Sequence, residues 1–123
     1  MKAIKKNIFI LDDDPRICEE LSEYLMRKNY RVFSSDRPST AFQILSRTSI
    51  DMLFLDFTLP EIDGLAVLKK VKKLYPNMQV IIISGDVDLK TMRELENNGA
   101  IGFIQKPFLH KDVNQILQKI NPK

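Results

Sequence analysis

Four short runs of uninterrupted apolar residues constrain this chain most: Ile8-Phe9-Ile10-Leu11, Met52-Leu53-Phe54-Leu55, Val80-Ile81-Ile82-Ile83 and Ile101-Gly102-Phe103-Ile104. A strand with one wet face alternates polar and apolar side chains, whereas a strand covered on both faces does not. The runs therefore predict parallel strands held between two layers. Arg31-Val32-Phe33-Ser34 is a weaker candidate, expected nearer an edge. Segments of helical period lie between them. Ile17, Leu21, Tyr24 and Leu25 share a face, with Asp14 as N-cap and Pro15 in the first turn. Ala41, Phe42 and Leu45 mark a second helix. Leu65, Leu68, Val71, Lys72 and Tyr75 mark a third, ended by Pro76-Asn77. Leu89 to Asn98 forms a fourth, stopped at Gly99, and Val113, Ile116, Leu117 and Ile120 mark a fifth. Strand and helix thus alternate five times, which implies an α/β, doubly wound parallel sheet with helices on both faces. No Ser/Gly-rich linker, repeat or charge block divides the chain, and one domain over residues 6–121 is expected.

Composition narrows the function classes. A chain of 123 residues can bury about two-thirds of its unfolded surface without a disulfide or structural metal. Its 44% apolar and 28% charged residues exclude the disordered class. No apolar run approaches the roughly 18 residues of a membrane helix, and Ile8 to Leu11 is too short for a signal-peptide core. The single Cys18 has no intramolecular partner, so a reducing, cytoplasmic setting is expected. The net charge of +3 is too mild to argue for nucleic acid. Neither a nucleic-acid nor a membrane partner is expected.

The informative residues stand where the strands end. Asp12-Asp13-Asp14 follows the first strand, Asp56 ends the third, Ser84 ends the fourth and Lys106-Pro107 follows the fifth. Ligands of open α/β sheets bind outside the carboxyl ends of the strands, where strand order reverses. If the first and third strands are neighbours, Asp12, Asp13 and Asp56 share one crevice. At about 5 Å and an effective dielectric of about 20, each like-charged pair costs roughly 3 kcal/mol. A cation relieves that cost, and hard carboxylate oxygens with room for water suit Mg2+. The blander reading is that an Asp after a strand simply caps a helix; it holds well for Asp63 before Gly64 and carries even weight for Asp12 or Asp14 alone. The pattern of acid, acid, hydroxyl and ammonium at successive strand ends is harder to assign to capping.

Taken together, Ile10-Leu11-Asp12-Asp13-Asp14-Pro15, Leu55 to Gly64, Val80 to Gly85 and Gly99 to Phe108 resemble the response-regulator receiver domain of two-component signal transduction. The resemblance covers essentially the whole chain. It implies the flavodoxin-like order 2-1-3-4-5, for which a receiver is itself a standard example. By position it implies Asp56 as the phosphoacceptor, taking a phosphoryl group from a phosphohistidine of a sensor histidine kinase or phosphotransfer protein in a phosphorelay. It implies Mg2+ held by Asp13, Asp56 and the backbone carbonyl of Thr58, with Asp12 acting through water. Lys106 would pair with Asp56 and then with a phosphoryl oxygen, and Ser84 would donate to another. The Lys106-Pro107 bond is expected to be cis. Ser84 and Phe103 would form the switch, altering the face of the fourth helix, fifth strand and fifth helix toward an output domain, a target protein or a second copy of the chain. Thr58 and Asp86 would flank the phosphoryl group and tune its hydrolysis, in a direction left open. On this reading the chain is a signalling switch, not a turnover enzyme.

Three alternatives compete. A small Mg2+-dependent phosphohydrolase resembling the haloacid-dehalogenase family would need a second acid where Thr58 stands. A flavodoxin would need a first loop rich in Ser, Thr and Gly, where Asp12-Asp13-Asp14 stands instead. A degenerate receiver would lack one of the key side chains. Cys18 reads as a small core residue, His110 as an isolated helix-start residue, and Lys69, Lys70, Lys72 and Lys73 as the solvated side of the third helix. Leu109, at the start of the fifth helix, is a poor capper, so fraying is expected there.

Overall fold

The computed structural model describes residues 6–59 and 63–120. Residues 60–62 of the Leu55 to Gly64 motif, and residue 121 at the expected domain end, lie outside the described residues. The elements run β1 (Asn7–Leu11), α1 (Pro15–Arg27), β2 (Arg31–Ser35), α2 (Pro38–Leu45), β3 (Met52–Asp56), α3 (Gly64–Leu74), β4 (Gln79–Ser84), α4 (Leu89–Asn97), β5 (Ala100–Gln105) and α5 (His110–Ile120). All strand pairs are parallel, in the order β2-β1-β3-β4-β5.

Strand residues alternate between two apolar layers because successive side chains point to opposite faces. Ile8 and Ile10, Met52 and Phe54, and Ile81 and Ile83 pack with Leu21 and Leu25 of α1 and Val113 and Leu117 of α5. Phe9 and Leu11, Leu53 and Leu55, and Val80 and Ile82 pack with Ala41 and Leu45 of α2, Val67, Leu68 and Val71 of α3, and Leu95 of α4. The register pairs Ile10 with Phe54 and Phe54 with Ile81, stacking large side chains in rows across the sheet.

The fifth apolar strand departs from expectation. β5 is an edge strand whose burial alternates, and Ile101 remains 44% exposed. Gly102 meets Ile116 of α5 and Ile104 packs in that same layer, while Ala100 and the half-buried Phe103 belong to the α4 layer, with a register shift between Ala100 and Gly102 that interrupts the alternation. An unbroken apolar run shows that a strand tolerates burial on both sides; it does not show that both sides are buried.

Helix ends are set locally. Asp14, Asp63 and Asp88 accept from the backbone N–H groups of Arg16, Leu65 and Thr91, so the capping reading holds for Asp14 and Asp63. Asn29 (φ 71) and Gly99 (φ 110) take the left-handed conformation after α1 and α4. At the start of α5, the Leu109 N–H donates to Asp112 Oδ2 at 2.8 Å, one half of a capping box. The fraying expected there is offset by a residue three positions further on. Lys72 also departs from its solvated reading: its ammonium donates to the Pro76 and Met78 carbonyls, both at 2.8 Å. It ties the last turn of α3 to the segment that leads into β4.

Candidate functional site at the carboxyl rim of the sheet

The parallel sheet sends every strand's carboxyl end to one rim, and β1 and β3 lie side by side there. Asp12 follows β1 and Asp56 closes β3, so both carboxylates enter the crevice between these strands. Each is 1% exposed, and Ser84 at the end of β4 is 6% exposed. Among the described residues, Asp12, Asp13 and Asp56 form the one group of three or more acid, His or Cys side chains placed to hold a metal, with oxygens within 4.8 Å of one another. Asp13 is exposed.

Lys106 reaches this group from beyond β5. Its ammonium lies 3.2 Å from Asp12 Oδ2 and 3.3 Å from Asp56 Oδ2. The Lys106 N–H donates to the Ser84 carbonyl at 2.7 Å, fixing the base of the side chain against β4. The Lys106-Pro107 bond is cis. Burial pulls the Lys106 pKa down, but the charges of Asp12 and Asp56 outweigh it and hold the ammonium above its ordinary value.

The two buried carboxylates are held differently. Asp56 Oδ1 accepts from both the backbone N–H and the hydroxyl of Thr58, each at 3.0 Å, and Asp56 Oδ2 faces Lys106. Asp12 Oδ1 accepts from the Asp14 N–H at 2.9 Å. Asp12 Oδ2 has the Lys106 charge beside it but no hydrogen bond. Burial, reinforced by the charge of Asp56, pushes Asp12 up to about 6 against the opposing pull of the Asp14 N–H and Lys106. The crevice thus holds more negative charge than its one ammonium balances. This donor set fits a hard divalent cation: carboxylate oxygens only, close together, one buried and without a hydrogen bond, one open to water.

The Ser84 hydroxyl is buried and unpartnered, which is costly unless a ligand supplies the partner. Ser84, Met92 and the half-buried Phe103 line a cavity of about 310 Å³ between β4, α4 and β5. The structure therefore gathers Asp12, Asp13, Asp56 and Lys106 directly, and sets Ser84 beside Phe103 in the adjoining cavity. His110 lies elsewhere, its ring stacked on Tyr24 at 4.3 Å. The Cys18 thiol donates to the Asp12 backbone carbonyl at 3.3 Å. Burial and then the charges of Asp12, Asp14 and Asp36 push its pKa up to about 11, so it is a structural thiol. Thr58 is placed at the site by the resemblance, but its grip on Asp56 Oδ1 and the Cys18 thiol's bond to the Asp12 carbonyl are geometry that spacing does not encode.

A family model for the response regulator receiver domain matches residues 8–121. The chain belongs to that family. It is 32% identical over 118 residues to ARR21 of Arabidopsis thaliana, whose name describes a two-component response regulator; the match takes in 94% of this chain but only 19% of that protein. It is 28% identical over 119 residues to sporulation initiation phosphotransferase F of Bacillus subtilis, covering 97% of this chain and 96% of that protein. Its backbone superposes on a CheY-like receiver domain from Methanospirillum hungatei with a TM-score of 0.88 at 27% identity, over 97% of this chain and 96% of that one. The receiver domain is a signal-transduction module of two-component systems, and the phosphohydrolase alternative is not favoured. No helix among the described residues is long and apolar enough to cross a membrane.

Proposed function

We propose that this receiver accepts a phosphoryl group on Asp56 from the phosphohistidine of a sensor histidine kinase or phosphotransfer protein, and that the modification changes the α4-β5-α5 face. The observation that carries the reading is the Lys106 ammonium bridging Asp12 and Asp56 beside a buried, unpartnered Ser84 hydroxyl. Asp13, Asp56 and the Thr58 backbone carbonyl would hold Mg2+ directly and Asp12 through water; the ion would neutralise charge on the incoming phosphoryl oxygens.

The chain's own residues supply the rest. The Asp56 carboxylate attacks phosphorus, the N–P bond of the phosphohistidine breaks, and its electron pair leaves with the imidazole nitrogen. Lys106 moves its charge from the carboxylate to a phosphoryl oxygen, and Ser84 gives its hydroxyl proton to another as a hydrogen bond. Positioning and fixed donors of this kind provide most of the catalysis in phosphoryl transfer. A phosphoryl group brings charge and three strong acceptors. Drawing Ser84 toward it opens room in the neighbouring cavity for Phe103 to turn inward, and the surface above β5 changes. That surface is where an output domain, a target protein or a second copy would read the state. The work is self-modification, set in the cytoplasm, without direct contact with nucleic acid.

Mass spectrometry after treatment with acetyl phosphate and Mg2+ tests this. One labile phosphoryl on Asp56 is expected in the wild type and none in Asp56→Asn. Steady release of phosphate from a small ester, or no adduct at all, would contradict the proposal.

A further inference from the structure

Two helices on opposite layers of the sheet carry opposite charge at matching positions. α1 exposes Glu19, Glu20 and Glu23, and α3 exposes Lys69, Lys70 and Lys73. The spacing is the same in both, with the second and third residues one and four positions after the first. Glu19 with Glu23, and Lys69 with Lys73, set like charges one turn apart, which weakens a helix unless something answers them. Among the described residues, none of these side chains makes an ion pair. Lys70 lies over the Phe42 ring of α2, 4.4 Å from its centroid, which holds it on this face. Lys72 is turned to the Pro76 and Met78 carbonyls and takes no part.

The flanking residues match as well. Before the acids α1 has Arg16, and before the lysines α3 has the neutral Ala66; Arg27 follows the acids where Asn77 follows the lysines. Met26, 53% exposed, and Leu74, 51% exposed, add an apolar side chain near the C-terminal end of each helix.

We infer that copies of this chain stack head to tail, the acidic face of α1 in one copy against the basic face of α3 in the next. The inference is independent of the phosphoacceptor reading. α1 belongs to the layer with α5, and α3 to the layer with α2 and α4, so one copy cannot bring its own two helices together. All strand pairs are parallel, so each connecting helix returns in the same direction. A second copy moved along the sheet normal without turning, and shifted sideways, therefore lays its α3 beside α1 with the same polarity. Glu19 and Glu20 then face Lys69 and Lys70, Glu23 faces Lys73, and Arg16 and Arg27 fall opposite uncharged residues.

The contact joins two different surfaces, so it repeats, and an interface of this kind that does not close grows by adding copies. Exposed ion pairs contribute little affinity and are screened by salt; they choose partner and register more than they hold them. The dissociation constant is accordingly weak, on the order of 0.1 mM. Glu19 also lines the cavity that reaches Asp12 and Asp13, so a copy seated on α1 covers one approach to the acidic rim.

Sedimentation velocity of the full chain at concentrations up to about 1 mM, in about 20 mM and about 0.5 M salt, tests this. In low salt the average mass should rise continuously with concentration and pass the dimer; in high salt it should return to the monomer. The double variants Lys69→Glu with Lys73→Glu, and Glu19→Lys with Glu23→Lys, should each stay monomeric. Their equimolar mixture should associate again, because each supplies the face the other lacks. All four positions are exposed, and melting curves check that both variants fold. Each Lys→Glu change removes two units of charge, so the first variant goes from a net +3 to −1. General repulsion is then smaller, and a non-specific account predicts more association instead of less. A wild type that stays monomeric at about 1 mM in low salt, association that survives in either variant, a closed dimer, or a mixture that stays monomeric would each overturn the inference.

Discussion

Two stretches of β3, two residues apart, show opposite physics. Phe54 is fully buried among Ile10, Ile81 and the α1 and α5 side chains. Everything around it is apolar, and its burial adds stability roughly in proportion to area. Asp56 is equally buried, but its neighbours are Asp12, Asp13 and one ammonium. The strand interior is built to be stable. The strand end gives up stability to concentrate charge where a ligand can use it.

Truncating the interior should therefore cost and neutralising the rim should gain. Phe54→Ala is expected to lower the unfolding free energy by about 3–5 kcal/mol in chemical denaturation. A loss below about 1 kcal/mol would mean the interior is not packed as described.

Asp12→Asn should move the other way. The folded pKa of about 6 lies above the ordinary 3.8, so the folded state binds the extra proton between those values. Stability of the metal-free protein attributable to this group is then greatest below about pH 4, falls as pH rises to about 6, and stays level above. The shift corresponds to about 2–3 kcal/mol. Metal-free Asp12→Asn at pH 7 is expected to be more stable than wild type by that order, with the advantage shrinking below pH 5. Urea titrations at pH 4.5 and 7 compare them. Equal stability at both values would remove the charge argument from the rim.

The smallest effect sharpens the boundary between the regions. Asp112 caps α5 from the third position of the helix, close to the rim in sequence but outside its charge cluster. Asp112→Ala should cost about 1 kcal/mol and leave the pH response of Asp12 unchanged. A change in that response would tie the cap to the site.

Much of this architecture was legible from the residues. The apolar runs placed the central strands, Asp14-Pro15 and Asp63-Gly64 placed two helix starts, and the polar residues after the runs pointed to one rim. What spacing could not convey was which face of an edge strand stays open, as at Ile101. It also could not show that Lys72 reaches carbonyls four and six residues ahead, or that Asp112 supplies the cap Leu109 lacks. Each depends on a long side chain choosing one partner among several in reach. The Thr58 grip on Asp56 belongs to the same class. Its residue was in view, but which of the two carboxylate oxygens it holds is a fact of rotation, not of order along the chain.

The central claim is that the rim carries unbalanced negative charge suited to a divalent cation. Thermal unfolding of the wild type in chelator and in millimolar Mg2+ at pH 7 tests it most directly. The account predicts a melting temperature that rises with Mg2+ concentration, as binding to the folded state alone requires, with a much smaller rise in Asp13→Asn. Identical melting curves with and without Mg2+ would contradict it.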